Sequence, residues 1–472
     1  VIDAVVVGSG PNGLAAAITM AEAGCAVVVL EGAPTPGGGC RSAERTLPGY
    51  RHDVCAAVHP LVAGSPFFRR LAALGYGPEL VASPTPFAHP LDHGRAAAAE
   101  RTLEDTVRGL GPGGRRYRRL MAPLVDGAET VLDVATGTLR TVPVELGPAM
   151  RFGAAGVLPA STLCRLLGHE RPSALMAGAA AHSMLPLTRP LSGAFGLLLA
   201  TTAHVVGWPV ARGGSEAVVG ALVERLTDLG GQVHCGSWVQ GLADLPLART
   251  VLLDVSPERF LGLAGTQLPD RYRRAMRRFR PGPGSCKVDW ALTGPVPWEA
   301  PECRRAVTVH VGGGFEEIAR SEAAVGAGRH PERPFCLVVQ PTIVDPSRAP
   351  EGAHTLWGYC HVPNGSTIDM TDRIEAQIER FAPGFRDLVV ARRTATATEL
   401  GRAQPNCVGG DIAGGAATLR QTLCRPVPRW NPYRTPLRGV YLCSASTPPG
   451  AGVHGMCGVH AARTALRDHF GG

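Results

Sequence analysis

The chain has 472 residues, enough for more than one hydrophobic core, and 45% of them are hydrophobic, which excludes a largely disordered protein. Basic side chains number 47 against 39 acidic ones, for a net charge of +8. Lys287 is the only lysine, so arginine carries that charge, and the clusters at 115–119 and 271–280 lack the reading motif or stacking aromatics of a nucleic-acid site. Thirteen cysteines with no CxxC pair and no metal-like grouping exclude a disulfide framework and give no metal ligands; they fit reduced thiols in a cytoplasmic protein, with no signal peptide ahead of the first strand.

In chain order, Ile2 and Ala4-Val5-Val6-Val7 predict a buried parallel strand, Gly8-Ser9-Gly10-Pro11-Asn12-Gly13 a turn, and Leu14 to Ala23 an alanine-rich helix. A second strand, Ala26 to Leu30, ends on Glu31. Each part has a mechanical purpose in a dinucleotide site. Gly8 allows the tight turn, Gly10 lets the backbone approach a pyrophosphate, and Gly13 lets helix and strand pack closely. Asn12 sits within the same turn and joins the contact residues. Glu31, 18 residues beyond Gly13, has the spacing of the acid that binds a ribose hydroxyl. A second glycine loop, Pro36-Gly37-Gly38-Gly39-Cys40-Arg41-Ser42, follows at once. A nicotinamide site has no need of it, whereas extended FAD requires another close backbone approach, at Gly38 and Gly39. Arg41 offers a charge-assisted contact to a phosphate and Ser42 a neutral donor. The expected cofactor is FAD.

Residues 76–205 read as mostly helical, and the apolar stretch Leu191 to Val206 is too interrupted by Gly193, Gly196 and His204 for a membrane span; it predicts a buried helix lining a substrate cavity. Gly213-Gly214-Ser215 caps a helix through Leu229, and Gly230 to Val233 returns the chain to the first domain. Val251 to Val255 predicts another strand, with Ser256-Pro257 leading out. Residues 263–424 alternate strand-like runs (Cys336 to Gln340, Thr355 to His361) with a helix that aligns Ile374, Ile378 and Phe381. Gly439 to Cys443 predicts a last strand, and a helix runs from about Val459 to Phe470. The expected domains are discontinuous: cofactor-binding segments at 1–75, 206–262 and 425–472, a helical substrate region at 76–205 and a substrate-domain sheet at 263–424 roofing the cofactor. Gly312-Gly313-Gly314 lacks the flanking sequence pattern of a second strand–GxGxxG–helix unit, so reoxidation is expected from oxygen, a quinone or another carrier.

Several blocks carry a resemblance to a known family: Gly37 to Glu44, His52 to Leu61, Gly207-Trp208-Pro209-Val210-Ala211-Arg212-Gly213-Gly214-Ser215, Lys287 to Leu292, Gly409-Gly410-Asp411-Ile412 and Tyr441 to Gly450. The chain resembles the FAD-dependent phytoene dehydrogenase-like oxidoreductases of the phytoene desaturase and amine oxidase group over nearly its whole length. That resemblance implies an α/β fold, with a Rossmann-like FAD-binding domain and a discontinuous substrate domain of mixed helix and sheet. It places Val239 beside the adenine. It also brings the turn with Ser444, Gly452, Val453 and His454 to the flavin ring, where the N-terminus of the last helix stabilises negative charge. Ser444-Ala445 departs from the wider group, which carries a ribityl-binding acid there. His454 and His59, in the segment leading toward the ring, are the candidates for proton handling.

The implied activity is desaturation of a hydrophobic, unsaturated small molecule by hydride transfer to flavin. Two alternatives stand beside it: a flavin-dependent isomerase of a conjugated polyene, and a non-catalytic prenyl-lipid-binding protein of the GDP-dissociation-inhibitor type. Since phytoene desaturases collect substrate from lipid, a membrane surface is a further partner, and the arginine clusters leave room for an acidic carrier protein. The oligomeric state is not legible.

Overall fold

The computed structural model describes residues 2–138 and 143–471, so Val1, Gly472 and residues 139–142 of the expected domains lie outside it. The elements that position the site are, in chain order, β1 (Ile2–Val7), α1 (Pro11–Glu22), β2 (Val27–Leu30), β3 (Phe87–Leu91), β4 (Arg95–Ala99), α2 (Glu170–Ala181), α3 (Ser192–Val205), α4 (Glu216–Asp228), β5 (Gln232–His234), β6 (Ala248–Leu253), β7 (Gly284–Leu292), β8 (Thr308–Val311), α5 (Phe315–Gly326), β9 (Cys336–Val339), β10 (His354–Val362), α6 (Thr371–Phe381), β11 (Val389–Ala395), β12 (Val440–Leu442) and α7 (Met456–His469).

Five strands form a parallel sheet in the order β12-β6-β1-β2-β5. Ala4, Val5 and Val6 are wholly buried, as a strand covered on both faces must be. Helix α1 opens on Pro11 with Gly10 as its cap, earlier than the apolar run alone predicts, because proline at the first helical position sacrifices no hydrogen bond. It packs on α7 so tightly that a Cβ on Gly458 would lie 1.9 Å from the Asn12 carbonyl oxygen. Only glycine permits that approach. Together these elements make a Rossmann-like α/β domain assembled from three separated stretches of chain.

The second sheet has seven strands in the order β11-β7-β10-β9-β8-β3-β4. Its hairpin β3–β4 comes from within residues 76–205, which the sequence assigns to helix. The run Ala96–Ala99 favours a helix locally, but His93 and Gly94, both at φ 65°, turn the chain into a hairpin, and β3 then pairs with β8. Sheet pairing overrides propensity here. Two further corrections concern boundaries. The strand that returns the chain to the first domain is Gln232–His234, with Val239 in the loop beyond it, and the last helix begins at Met456 rather than near Val459.

Ser192–Val205 is a 14-residue helix within the cluster that also holds Leu175 and Trp208. Among the described residues no helix is long and apolar enough to cross a membrane. On the seven-stranded sheet, Cys286, Val288, Trp290 and Leu356 face α6, whose Ile374, Ile378 and Phe381 are buried against them. The opposite, inner face carries Lys287, Asp289, Leu337, Trp357 and Tyr359, of which Leu337, Trp357 and Tyr359 pack in one cluster with Ala57 and Val210.

Candidate functional site

A groove crosses the carboxyl ends of β2, β1, β6 and β12, where parallel sheets bind ligands. Gly8, Gly10, Asn12, Glu31, Gly38, Gly39, Val239 and Ser444 all line it. The first glycine loop is forced into shape. Gly8 has φ +99°, and a Cβ on Gly13 would stand 2.0 Å from the Gly8 carbonyl oxygen. The N-cap Gly10 brings no side chain, Pro11 has no N–H and the Gly13 N–H goes to Asp254, so the Asn12 N–H and the positive dipole end of α1 are what the turn offers the groove. Gly38 crosses directly over this turn, its Cβ position 3.4 Å from the Gly10 Cα.

Ser9, which sequence reasoning passed over, joins the two loops. Its hydroxyl donates to Glu31 Oε2 at 2.6 Å, its N–H donates to the same oxygen at 2.9 Å, and its own Oγ and carbonyl both accept from the Gly37 N–H. Glu31 Oε1 accepts from the Ala33 N–H at 2.8 Å, which leaves this oxygen one lone pair for a ligand hydroxyl. Glu31 thus fixes the loop as well as facing the groove. Trp238 leans over Gly32, and the Arg259 guanidinium stacks on its ring at 4.8 Å while donating to the Val239 carbonyl at 2.6 Å.

Asp254, just past β6, was also missed. Its Oδ2 accepts from the Gly13 N–H at 3.0 Å, and burial pushes its carboxyl up to about 7, with the nearby Glu31 charge adding to the shift. It stands beside Ser444 on the groove wall, so a neighbouring strand supplies an acid where the last strand has none. The available signal was an acid at the carboxyl end of a buried parallel strand. Asn406 closes this side, accepting from the Ser256 N–H and donating to the Asp254 carbonyl, both at 2.8 Å.

Seven of the expected site residues lie off the groove lining, one of them Gly13, packed beneath the first turn against the Gly8 carbonyl. Arg41 Nε donates to the Gly38 carbonyl at 2.9 Å, and Ser42 Oγ donates to Asp53 at 2.8 Å; both brace the second loop from behind. Gly452 and Val453 pack near Leu61 and the helical core around α1. His454 spends both ring nitrogens on its own turn: Nδ1 accepts from the Met456 N–H, so Nε2 donates to the Gly450 carbonyl. His59 Nε2 donates to Ser215 Oγ at 2.8 Å, since the serine proton goes to the Ala56 carbonyl at 2.5 Å. Burial pushes both imidazoles down to about 4, so both are neutral at pH 7.

Above the second loop, Asp289 bridges the only lysine and an arginine, accepting from Lys287 Nζ at 2.5 Å and from Arg45 Nε at 2.8 Å. Burial lowers the Lys287 pKa, and Trp357 lies 5.5 Å from its nitrogen. Below it, the wholly buried Arg348 pairs with Asp53 at 2.8 Å. Although burial favours a neutral carboxyl, the Arg348 charge and its hydrogen bonds hold Asp53 below the usual carboxylate range.

Residues 6–73 match the family described as an NAD(P)-binding Rossmann-like domain. Over 99% of its length the chain is similar to the pyridine nucleotide-disulfide oxidoreductase domain-containing protein 2 of Rattus norvegicus, 26% identical and matched over 93% of that protein. The Mus musculus protein of that name is 25% identical with the same coverage. Among solved structures, an oxidoreductase from Methanosarcina mazei superposes with a TM-score of 0.67 at 15% identity, covering 99% of this chain and 100% of that one. A putrescine oxidase gives 0.60 at 16% identity, covering 99% and 98%. The chain shares its fold with these solved oxidoreductases.

Proposed function

We propose that the protein is an FAD-dependent oxidoreductase that desaturates a hydrophobic, unsaturated small molecule. The groove carries this reading. It crosses the ends of four adjacent strands, three inter-strand spacings or about 14 Å, and it has a second glycine loop laid over the first. That matches an extended dinucleotide with its diphosphate at the N-terminus of α1 and a ribose hydroxyl on Glu31. When bound, the flavin supplies a hydride acceptor.

The chain's own residues would orient the substrate and keep water out. Leu337, Val339, Trp357 and Tyr359 make an apolar and aromatic wall on the inner face of the seven-stranded sheet. On the same face of the sheet the Trp357 indole nitrogen and the Ser285 and Thr355 hydroxyls are buried without a partner, a small set of polar groups of the kind that fixes a ligand's orientation. His59 keeps an open Nδ1 acceptor, whereas His454 holds the turn before α7. Positioning, not a strong base, then carries the reaction.

The test is a spectrum of the purified protein, then anaerobic addition of candidate polyenes and other apolar alkenes. Intact FAD on denaturation and bleaching by an alkene support the proposal. A protein that neither contains nor takes up FAD overturns it, and product formation without bleaching replaces desaturation by isomerisation.

A further inference from the structure

A second cavity, of about 840 Å³, lies between segment 423–433 and α7, and it shares no lining residue with the groove. Arg425, Arg429, Arg463 and Arg467 line it, and no aspartate or glutamate does. Among the described residues none of these four has a carboxylate within ion-pairing distance, whereas Arg434, close by in the chain, pairs with Asp468. Arg425 is only 5% exposed; one of its terminal nitrogens donates to the Gly414 carbonyl at 2.8 Å, and its Nε has no partner. Asp411, whose charge reaches it, spends its oxygens on the N–H groups of Gly282, Ala413 and Gly415. A buried cation without a paired anion is costly.

Arg463 and Arg467 stand four residues apart on α7, where like charges repel. Arg467, in the last turn, complements the helix dipole, but Arg463 lies a turn too early for that. Burial, then the charges of these two arginines, push His460 down to about 4, so at neutral pH the positive charge of the lining is arginine's alone. The cavity also has an apolar and aromatic side, with Val427, Tyr433 and Trp430, the last 84% exposed, so that wall reaches solvent.

We propose that this cavity binds an organic phosphate, its oxygens held by Arg463 and Arg467, its charge completed by Arg425, and its apolar or aromatic body lying against Val427, Tyr433 and Trp430. A phosphate monoester brings about two negative charges and three acceptor oxygens, which suit several guanidinium forks better than one carboxylate does. An anion shared by Arg463 and Arg467 turns their repulsion into attraction, and it supplies the countercharge that Arg425 lacks. The volume is that of a small-molecule site. Arginine content alone does not select this cavity. A hollow beside the second glycine loop is lined by Arg41, Arg51 and Arg212, but there Arg51 pairs with Glu216 and Arg212 with Glu79.

The full chain, saturated with FAD to keep nucleotides out of the groove, is titrated by calorimetry at about 0.15 M salt, where surface charge is screened. The probes are inorganic phosphate, ADP and dihexanoyl phosphatidate, the last two distinguishing a nucleotide from a lipid phosphate. We expect ADP or the phosphatidate to bind more tightly than inorganic phosphate, because the body adds contact. Arg463→Gln and Arg467→Gln, both at exposed positions, should each weaken that binding about tenfold, the loss of a charge-assisted hydrogen bond. Arg320→Gln, on exposed α5 surface, removes the same charge away from the cavity and should leave binding unchanged. The proposal does not depend on the flavin, since Arg463→Gln separates cavity from groove whether or not FAD is bound. Either organic phosphate behaving this way supports it. Binding of neither, inorganic phosphate binding as tightly as both, or equal affinities in the native protein, Arg463→Gln and Arg467→Gln would overturn it.

Discussion

Asp254 Oδ2 accepts from the Gly13 N–H at 3.0 Å, so a carboxyl from the middle of the chain closes on the first turn of the N-terminal helix. Both residues are more than a tight fit. A Cβ on Gly10 would lie 2.9 Å from that same oxygen, and Gly8 abuts the Asp254 carbonyl. The glycine loop is therefore shaped by β6 as much as by its own sequence.

The Asp254 carboxyl makes stability depend on pH in a defined direction. Its folded pKa, about 7, exceeds the unfolded value of 3.8, so its favourable contribution is full below pH 4 and is lost as pH rises through 7. Buried neutral histidines such as His59 and His454 act oppositely below pH 6.5. The readout is thus the difference between Asp254→Asn and the native protein. Urea unfolding should show the variant gaining on the native protein between pH 5 and pH 8, by on the order of 2–4 kcal/mol. A pH-independent difference would show that Asp254 is ionised throughout.

Gly10→Val should abolish FAD binding, because its side chain would fill the pyrophosphate approach and press on Asp254. Glu31→Ala should weaken binding by about 1–3 kcal/mol, partly through loosening Ser9 and Ala33. Fluorescence titration of the stripped protein with FAD measures both. Native affinity in Gly10→Val would place the cofactor elsewhere.

His454→Ala removes a donor to Gly450 and an acceptor for Met456. It should cost about 1–3 kcal/mol of stability in denaturant unfolding, while single-turnover reduction per bound flavin stays at the native rate. A slowed reduction at unchanged stability would return His454 to a chemical role.

Arg348→Ala strands the buried Asp53 carboxylate without its partner. The expected loss is about 3–5 kcal/mol at pH 7. Because Asp53 is held below the usual carboxylate range, the native advantage is present above pH 4 and disappears as pH falls through the folded pKa. Chemical unfolding of both proteins at pH 7 and at acid pH checks the size and the sign.

The amino-acid sequence by itself determined the first glycine loop, the acid at position 31, the second loop and the strand–turn–helix at the C-terminus. Those features depend on local rules: glycine where a Cβ has no room, proline at a helix start, and apolar runs where a strand is covered on both faces. Glycine at 13 and at 458 is dictated by contacts under 2.1 Å, which leave no alternative residue. What no local rule contains is which distant side chains close on these loops. Asp254, Asn406 and Cys407 reach the groove only because β6 pairs with β1 and Asn406 fixes its loop to the end of β6. The same holds for Ala96–Ala99, helical by propensity and a strand because β3 found β8. His454 differs: its place in a conspicuous motif suggested chemistry, yet its partners Gly450 and Met456 lie within its own turn, and only the folded turn shows that both nitrogens are occupied. Local sterics can be read from neighbours in the chain. Partnership across a hundred residues is settled only when the sheets form, since burial and pairing, not spacing, then decide which polar groups remain open.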